Sequence, residues 1–313
     1  MKFITLFFFC FVTIAYSQSK DVKTVPFLAE TVTQFPNVRD IALTENEVVF
    51  SAQSVMGDVS ALVYLRKNKE GWSTPEVLSF SGQYFDLEPF FTKDRLTLYF
   101  VSNRPLDDAS SEPKDFDIWF VNRTNINEKW SEPKNLGAPI NTKMDEFYPV
   151  VTDSKNIYFT LDNTSLNRKD DIYMSEFKNG TYTTPIPLGN AINTEGYEFN
   201  AFIAPDESFL IYTCYNRKDG YGSGDLYISY RNDSNEWSKA KNMGNTVNSD
   251  KMDYCPFVDT NSKTLYFTSK RNESSKSFNS SMTIEELKNV FNSYKNGSSR
   301  LYKMTMPDLQ TKE

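Results

Sequence analysis

Apolar and polar positions along this chain alternate in short runs, and the runs come in groups of four. The clearest group opens with Asp86–Thr92, turns at Lys93-Asp94-Arg95, continues through Leu96–Ser102 and closes at Asn103-Arg104-Pro105. After a polar loop come Asp117–Arg123 and then Trp130–Leu136. Period-2 alternation bounded by turn residues predicts four short strands, one antiparallel sheet. The pattern returns with Glu146–Thr152, Asn156–Thr160 and Asp171–Ser175; with Glu198–Ile203, Phe209–Thr213 and Asp225–Ser229; and with Asp253–Val258, Thr264–Ser269 and Arg300–Met304. A degenerate first copy is Val38–Leu43, Glu47–Ser51 and Leu62–Leu65.

A phrase marks the fourth strand: Gly71–Leu78, Lys129–Gly137 and Glu236–Gly244 each carry Trp-Ser, and Thr181–Gly189 is a weaker copy. Aligning the groups on Pro89, Pro149, Ala201 and Pro256 gives spacings of 60, 52 and 55 residues. Self-similarity at such a period, built of short aromatic strands, predicts an all-β fold: a single β-propeller of four-stranded blades. Five blades are counted; six would follow if two divergent copies are merged. The fifth copy lacks its own fourth strand, and Thr24–Leu28 resembles Thr74–Leu78. An outer closing strand near residues 24–30 therefore joins the two chain ends and hides an open sheet edge.

Between Arg271 and Arg300 the last blade carries an insertion, 272–299. Within it Thr283 and Glu286 make a capping box, Ile284, Leu287, Val290, Phe291 and Tyr294 recur at helical spacing, and Asn296-Gly297 stops the run. A helix over 283–294 is predicted, either covering the blade or docking a partner.

Lys2 followed by the apolar run Phe3–Ile14 and the small residues Ala15 and Ser17 reads as a signal peptide, 1–17, leaving 18–313 as the propeller domain. The context of Cys10 does not suit lipid modification. An exported protein, periplasmic or extracellular, is the expectation. Its two remaining cysteines, Cys214 and Cys255, fall on adjacent blades, and two buried thiols are favoured over a disulfide.

The run Glu88-Pro89, Asp94, Leu98–Arg104, Asp117-Ile118-Trp119, echoed by Tyr266–Arg271 and Gly224–Tyr227, resembles the TolB-type, WD40-like propeller repeat often called PD40. The resemblance spans residues 30 to about 306. It implies the propeller fold and an exported protein, since the family includes exported members of unknown function, some with a helical insertion in the final blade. TolB itself is a periplasmic protein-binding propeller with an additional N-terminal domain that has no counterpart here. Related peptidases carry an α/β-hydrolase domain; this chain has neither a Gly-x-Ser-x-Gly elbow nor a histidine, so that activity is not implied.

Composition narrows the chemistry. Of 313 residues none is histidine, which removes Ser-His and Cys-His nucleophile schemes and makes a zinc site improbable. The net charge of -7 and the lack of a basic stripe argue against nucleic acid. Four acids, Asp86, Glu146, Glu198 and Asp253, stand three residues before the aligned proline position; Asn37 is the counterpart proposed for the first copy. Directed at the mouth of the ring, they could bind a cation, a sugar or a cationic peptide, or act as paired carboxylates in glycoside hydrolysis. Alternatively each accepts hydrogen bonds from the turn of its neighbouring blade, and repetition at one register favours that role. Asp117, Asp171 and Asp225, which open the third strands, read as turn acceptors. Trp72, Trp130 and Trp237 read as inter-blade packing. The segment Gly220–Gly224 is a hairpin loop rather than a phosphate loop, because no helix follows it. No cofactor is called for, although the acids leave room for a hard cation such as calcium. The favoured function is non-catalytic binding of a protein, peptide or glycan of the cell envelope at one face of the ring. The alternative is a carboxylate-dependent carbohydrate-active enzyme.

Overall fold

The computed structural model describes residues 23–107, 110, 112–164, 170–274, 277–306 and 309. Segment 1–17, which the sequence pattern reads as a signal peptide, and Cys10 lie outside them. Among the described residues the chain forms five antiparallel blade sheets and a small separate hairpin, Phe177–Lys178 with Thr181–Tyr182. Blade 1 comprises Asn37–Leu43, Glu47–Gln53, Ser60–Asn68 and Glu76–Val77; blade 2 comprises Asp86–Phe91, Thr97–Ser102, Asp117–Asn122 and Lys134–Asn135. Blade 3 comprises Asp145–Val151, Ile157–Asp162, Asp170–Ser175 and Ile186–Pro187; blade 4 comprises Tyr197–Ile203, Phe209–Tyr215, Gly224–Tyr230 and Lys241–Asn242. Blade 5 comprises Asp253–Asp259, Thr264–Ser269, Arg300–Thr305 and, from the other end of the chain, Val25–Pro26.

The first strand of each blade packs against the first strand of the next, and that of blade 5 returns to blade 1. This closed cycle is a five-bladed propeller with first strands at its axis. The ring is latched by Val25 opposite Lys303 and Pro26 opposite Tyr302. Phe27 then buries its ring edge-on to Tyr266, centroids 4.8 Å apart, and its amide donates to Leu301.

The core is divided among the blade junctions, because alternation gives each sheet two apolar faces and each face meets a neighbour. Ala42, Val49 and Leu62 meet Leu98, Phe100 and Val121 between blades 1 and 2. Val38, Val48 and Phe50 meet Phe27, Tyr266 and Leu301 across the latch. Trp130 lies against the junction of blades 1 and 2 and Trp237 against the core between blades 3 and 4, with Arg123 and Arg231 over their rings at 4.2 and 5.0 Å.

The inserted helix runs Ile284–Phe291, shorter than the sequence pattern suggests, with the Thr283/Glu286 capping box formed. None of its residues is buried. A further short helix, Ala29–Val32, follows the latch; the sequence pattern does not predict it, and no side chain caps it. Cys214 and Cys255 are buried free thiols. Among the described residues no helix is long and apolar enough to cross a membrane.

Candidate functional site

All five first strands break register near mid-length, between Arg39 and Ile41, Leu87 and Phe90, Phe147 and Val150, Phe199 and Phe202, and Tyr254 and Phe257. Each break holds one residue in the left-handed region: Asp40 (φ 54°), Glu88 (55°), Tyr148 (51°), Asn200 (49°) and Cys255 (51°). This conformation costs an L-residue roughly 1–2 kcal/mol, and five repeats of it mark a built feature. The bulges turn these side chains towards the axis, where they meet.

Arg39 ties the group together. Its Nε donates to Asp40 Oδ1 at 2.8 Å and its Nη2 to Glu88 Oε1 at 2.7 Å. Asn200 Nδ2 donates to the same Glu88 oxygen at 3.0 Å, and the Tyr148 amide donates to Glu88 Oε2 at 2.7 Å. Cys255 Sγ donates to Asn200 Oδ1 at 3.4 Å, and Tyr148 Oη to the Pro256 carbonyl at 2.9 Å. The Glu88 amide reaches Asp40 Oδ2 and Ser51 Oγ. One residue from each blade is thus joined in one network across the ring. Burial pushes Glu88 above the ordinary carboxylate range, Arg39 pulls it back, and Asp40 adds to the rise. The Cys255 thiol is likewise raised by burial and by Asp40.

The network closes the axial channel. Arg39 retains 19% side-chain exposure towards the strand starts, whereas Asp40 and Glu88 keep 1–2%. On the other side the residues after the bulges, including Pro89, Pro149 and Pro256, leave a recess of about 10 Å³, room for about one water.

The four acids singled out in the sequence are elsewhere. Asp86, Glu146, Glu198 and Asp253 are fully buried and face their own preceding loops. Asp86 accepts from Ser81 Oγ (2.7 Å), the Gly82 amide (3.2 Å) and Arg104 (2.7 Å). Asp253 accepts from the Ser249 amide and hydroxyl (2.6 and 2.7 Å) and from Arg271 (3.0 Å). Glu146 and Glu198 take the corresponding bonds from Thr142 and Thr194. Blade 1 has Val38, not Asn37, in this register; Asn37 lies one residue earlier and accepts from the Ser299 amide. Blade 3 has Asn163 where Arg104 and Arg271 stand, and burial without a cation pushes Glu146 up to about 8.

Asp117 accepts from Lys114 and Asn135, and Asp225 from the Tyr221 and Gly222 amides. Sequence reasoning missed a further repeated device: Asn141, Asn193 and Asn248 each accept from and donate to one backbone residue of the third strand, Ile118, Ile172 and Leu226. Each falls four residues after a glycine (137, 189, 244), which is the sequence signal for it. Among the described residues no cluster of three or more histidine, cysteine, aspartate or glutamate side chains is arranged to hold a metal ion.

The fold is similar to that of a glycoside hydrolase of known structure, at 8% identity over 93% of this chain and 91% of that one, TM-score 0.52. It is also similar to an α-L-arabinofuranosidase from Lactobacillus brevis (11% identity, 89% and 95% covered, TM-score 0.47) and to a putative TolB from Agrobacterium tumefaciens (11%, 79% and 76%, TM-score 0.44). No family model and no curated protein sequence matches the chain. At these identities the likeness is one of fold alone.

Proposed function

We propose that this chain is an exported propeller that acts by binding, and that it meets a protein partner through the ring face formed by the connections between second and third strands. The observation that carries this is the placement of exposed large apolar side chains. Among the described residues these are Val55, Met56 and Val59 in the blade 1 connection, Leu106 in that of blade 2, Tyr215 and Tyr221 at that of blade 4, and Phe278, Ile284 and Phe291 in the insertion of blade 5. The remaining three, Val25, Val77 and Ile186, are scattered on the outermost strands. In up-and-down sheets sharing one axis these connections all lie at one end, beside Arg39. Apolar side chains gathered there favour a protein interface, whereas singly scattered ones need no explanation.

The state of the carboxylates supports binding over hydrolysis. A glycosidase needs two accessible acids about 5–10 Å apart with unlike environments. Here the repeated acids are turned into their own loops, and Asp40 and Glu88 are held by Arg39. The test is differential capture from the native envelope. Ile284→Asp/Phe291→Asp changes two residues that are 69% and 64% exposed, so folding is retained. A partner retained by the unaltered chain and by Val77→Asp, and lost with the double variant, supports the reading. Equal retention by all three overturns it.

A further inference from the structure

Among the described residues the buried arginines are Arg104, Arg123 and Arg300, the last only 5% exposed. Arg104 pairs with Asp86 and Arg123 with Glu47. No carboxylate of the described residues pairs with Arg300. Strand register gives the reason. Arg300 opens the third strand of blade 5, opposite Ser269, where blades 2, 3 and 4 have Asp117, Asp171 and Asp225. Each of those aspartates stands near the repeated first-strand acid of the next blade. Burial raises these groups, and beyond burial Asp117 acts on Glu146, Asp171 on Glu198 and Asp253 on Asp225. Blade 5 is followed by blade 1, which has Val38 in the place of that acid. The closing junction therefore replaces a pair of acids by one cation.

The guanidinium is held from one side only. Its Nη1 donates to the carbonyls of Phe35, Pro36 and Ser299 at 3.1, 2.9 and 3.3 Å. Its Nε is buried without an acceptor, and its Nη2, not sealed from solvent, makes no hydrogen bond to any described residue. Nε and Nη2 form the edge by which arginine takes a carboxylate side-on. Burial lowers the Arg300 pKa from its ordinary value, and only Tyr294 and Tyr302 act the other way. On the same strand face, two residues on, the Tyr302 hydroxyl is also buried without an acceptor.

We infer that the free edge of Arg300 is a binding site for a single carboxylate group. A buried charge is costly until it is paired and hydrogen-bonded. One carboxylate supplies two acceptor oxygens and the one missing negative charge. A doubly charged phosphate would bring a surplus, because Arg271, stacked on Tyr302, is already matched by Asp253 at 3.0 Å. The site lies at the root of the insertion and does not rest on the partner-binding reading.

The probe is acetate, titrated into the isotope-labelled chain at constant ionic strength, with chloride and inorganic phosphate as comparisons. The readout is the Nε–H resonance of Arg300 in the unaltered chain, assigned through its own side chain. Acetate is expected to shift it saturably, to bind about tenfold or more tighter than phosphate, and to raise the thermal midpoint. Arg300→Lys keeps the charge but has no second nitrogen, so its midpoint should not respond to acetate. A resonance that acetate leaves in place, as when water alone fills the edge, overturns the assignment. Phosphate binding as tightly, or an equal acetate response in Arg300→Lys, overturns it too. Envelope capture in saturating acetate then separates the sources of the group: loss of the partner assigns the carboxylate to the partner, and retention assigns it to a free acid. Ile284→Asp/Phe291→Asp should leave the titration unchanged, so failure here and failure at the partner face read separately.

Discussion

Replacing Arg39 by methionine tests the axial network most sharply. The side chain keeps much of its volume, but Asp40 and Glu88 lose the cation that bonds both at 2.8 and 2.7 Å. Removing one partner of a buried ionic cluster costs about 3–5 kcal/mol, because the remaining charge stays desolvated. For a chain of this size that is a fall in thermal midpoint on the order of 10 °C. The loss carries a pH signature. Glu88 already lies above the ordinary value of 4.5, raised by burial, so between that value and its folded one the native state holds more protons than the unfolded state. Stability from this group therefore falls as pH rises through that window. Without Arg39 the rise is larger, and the deficit of Arg39→Met should be greater at pH 8 than at pH 5. Urea unfolding followed by tryptophan fluorescence at both pH values measures it. Arg39→Met/Glu88→Gln should recover part of the loss, a coupling that a double-mutant cycle isolates. A deficit under about 1 kcal/mol, or one equal at the two pH values, refutes the reasoning.

Glu146, pushed up to about 8 by burial, makes the native state lose stability as pH rises from about 4.5 to 8; Glu146→Gln should flatten that slope in thermal melts. Phe27→Ala removes a buried ring from the latch and should cost about 3–5 kcal/mol, read by urea unfolding. Asn193→Ala removes the acceptor of the Ile172 amide and the side-chain donor to the Leu188 carbonyl, while the Ile172 carbonyl keeps the Leu188 amide, for a loss of about 2–3 kcal/mol in the same assay. Burial raises the Cys214 thiol to about 12 and also lifts Cys255, so neither should react with an aromatic disulfide reagent at pH 8 until the chain is unfolded.

The blade architecture was legible because each strand has to bury two faces, and that need repeats in the sequence as often as the blades do. The latch was legible for the same reason: a missing fourth strand at one end and a spare one at the other. The axial residues were not, because the network takes one unlike residue from each blade: Asp40, Glu88, Tyr148, Asn200 and Cys255. A search for repetition passes over such a column and stops at Asp86, Glu146, Glu198 and Asp253, whose common environment makes them alike. The residue before the aligned proline, variable within an otherwise constant frame, was the available signal.

The ring's working face can be located by a measurement that reads every segment of the chain at once. Amide hydrogen exchange on the chain, free and bound to the captured partner, gives protection along the whole sequence. Protection confined to segments 54–59, 103–116, 216–223 and 270–299 is the expected result. Protection instead in the turns near Thr44, Asp94, Asp206 and Ser262, at the opposite end of the blades, would contradict it.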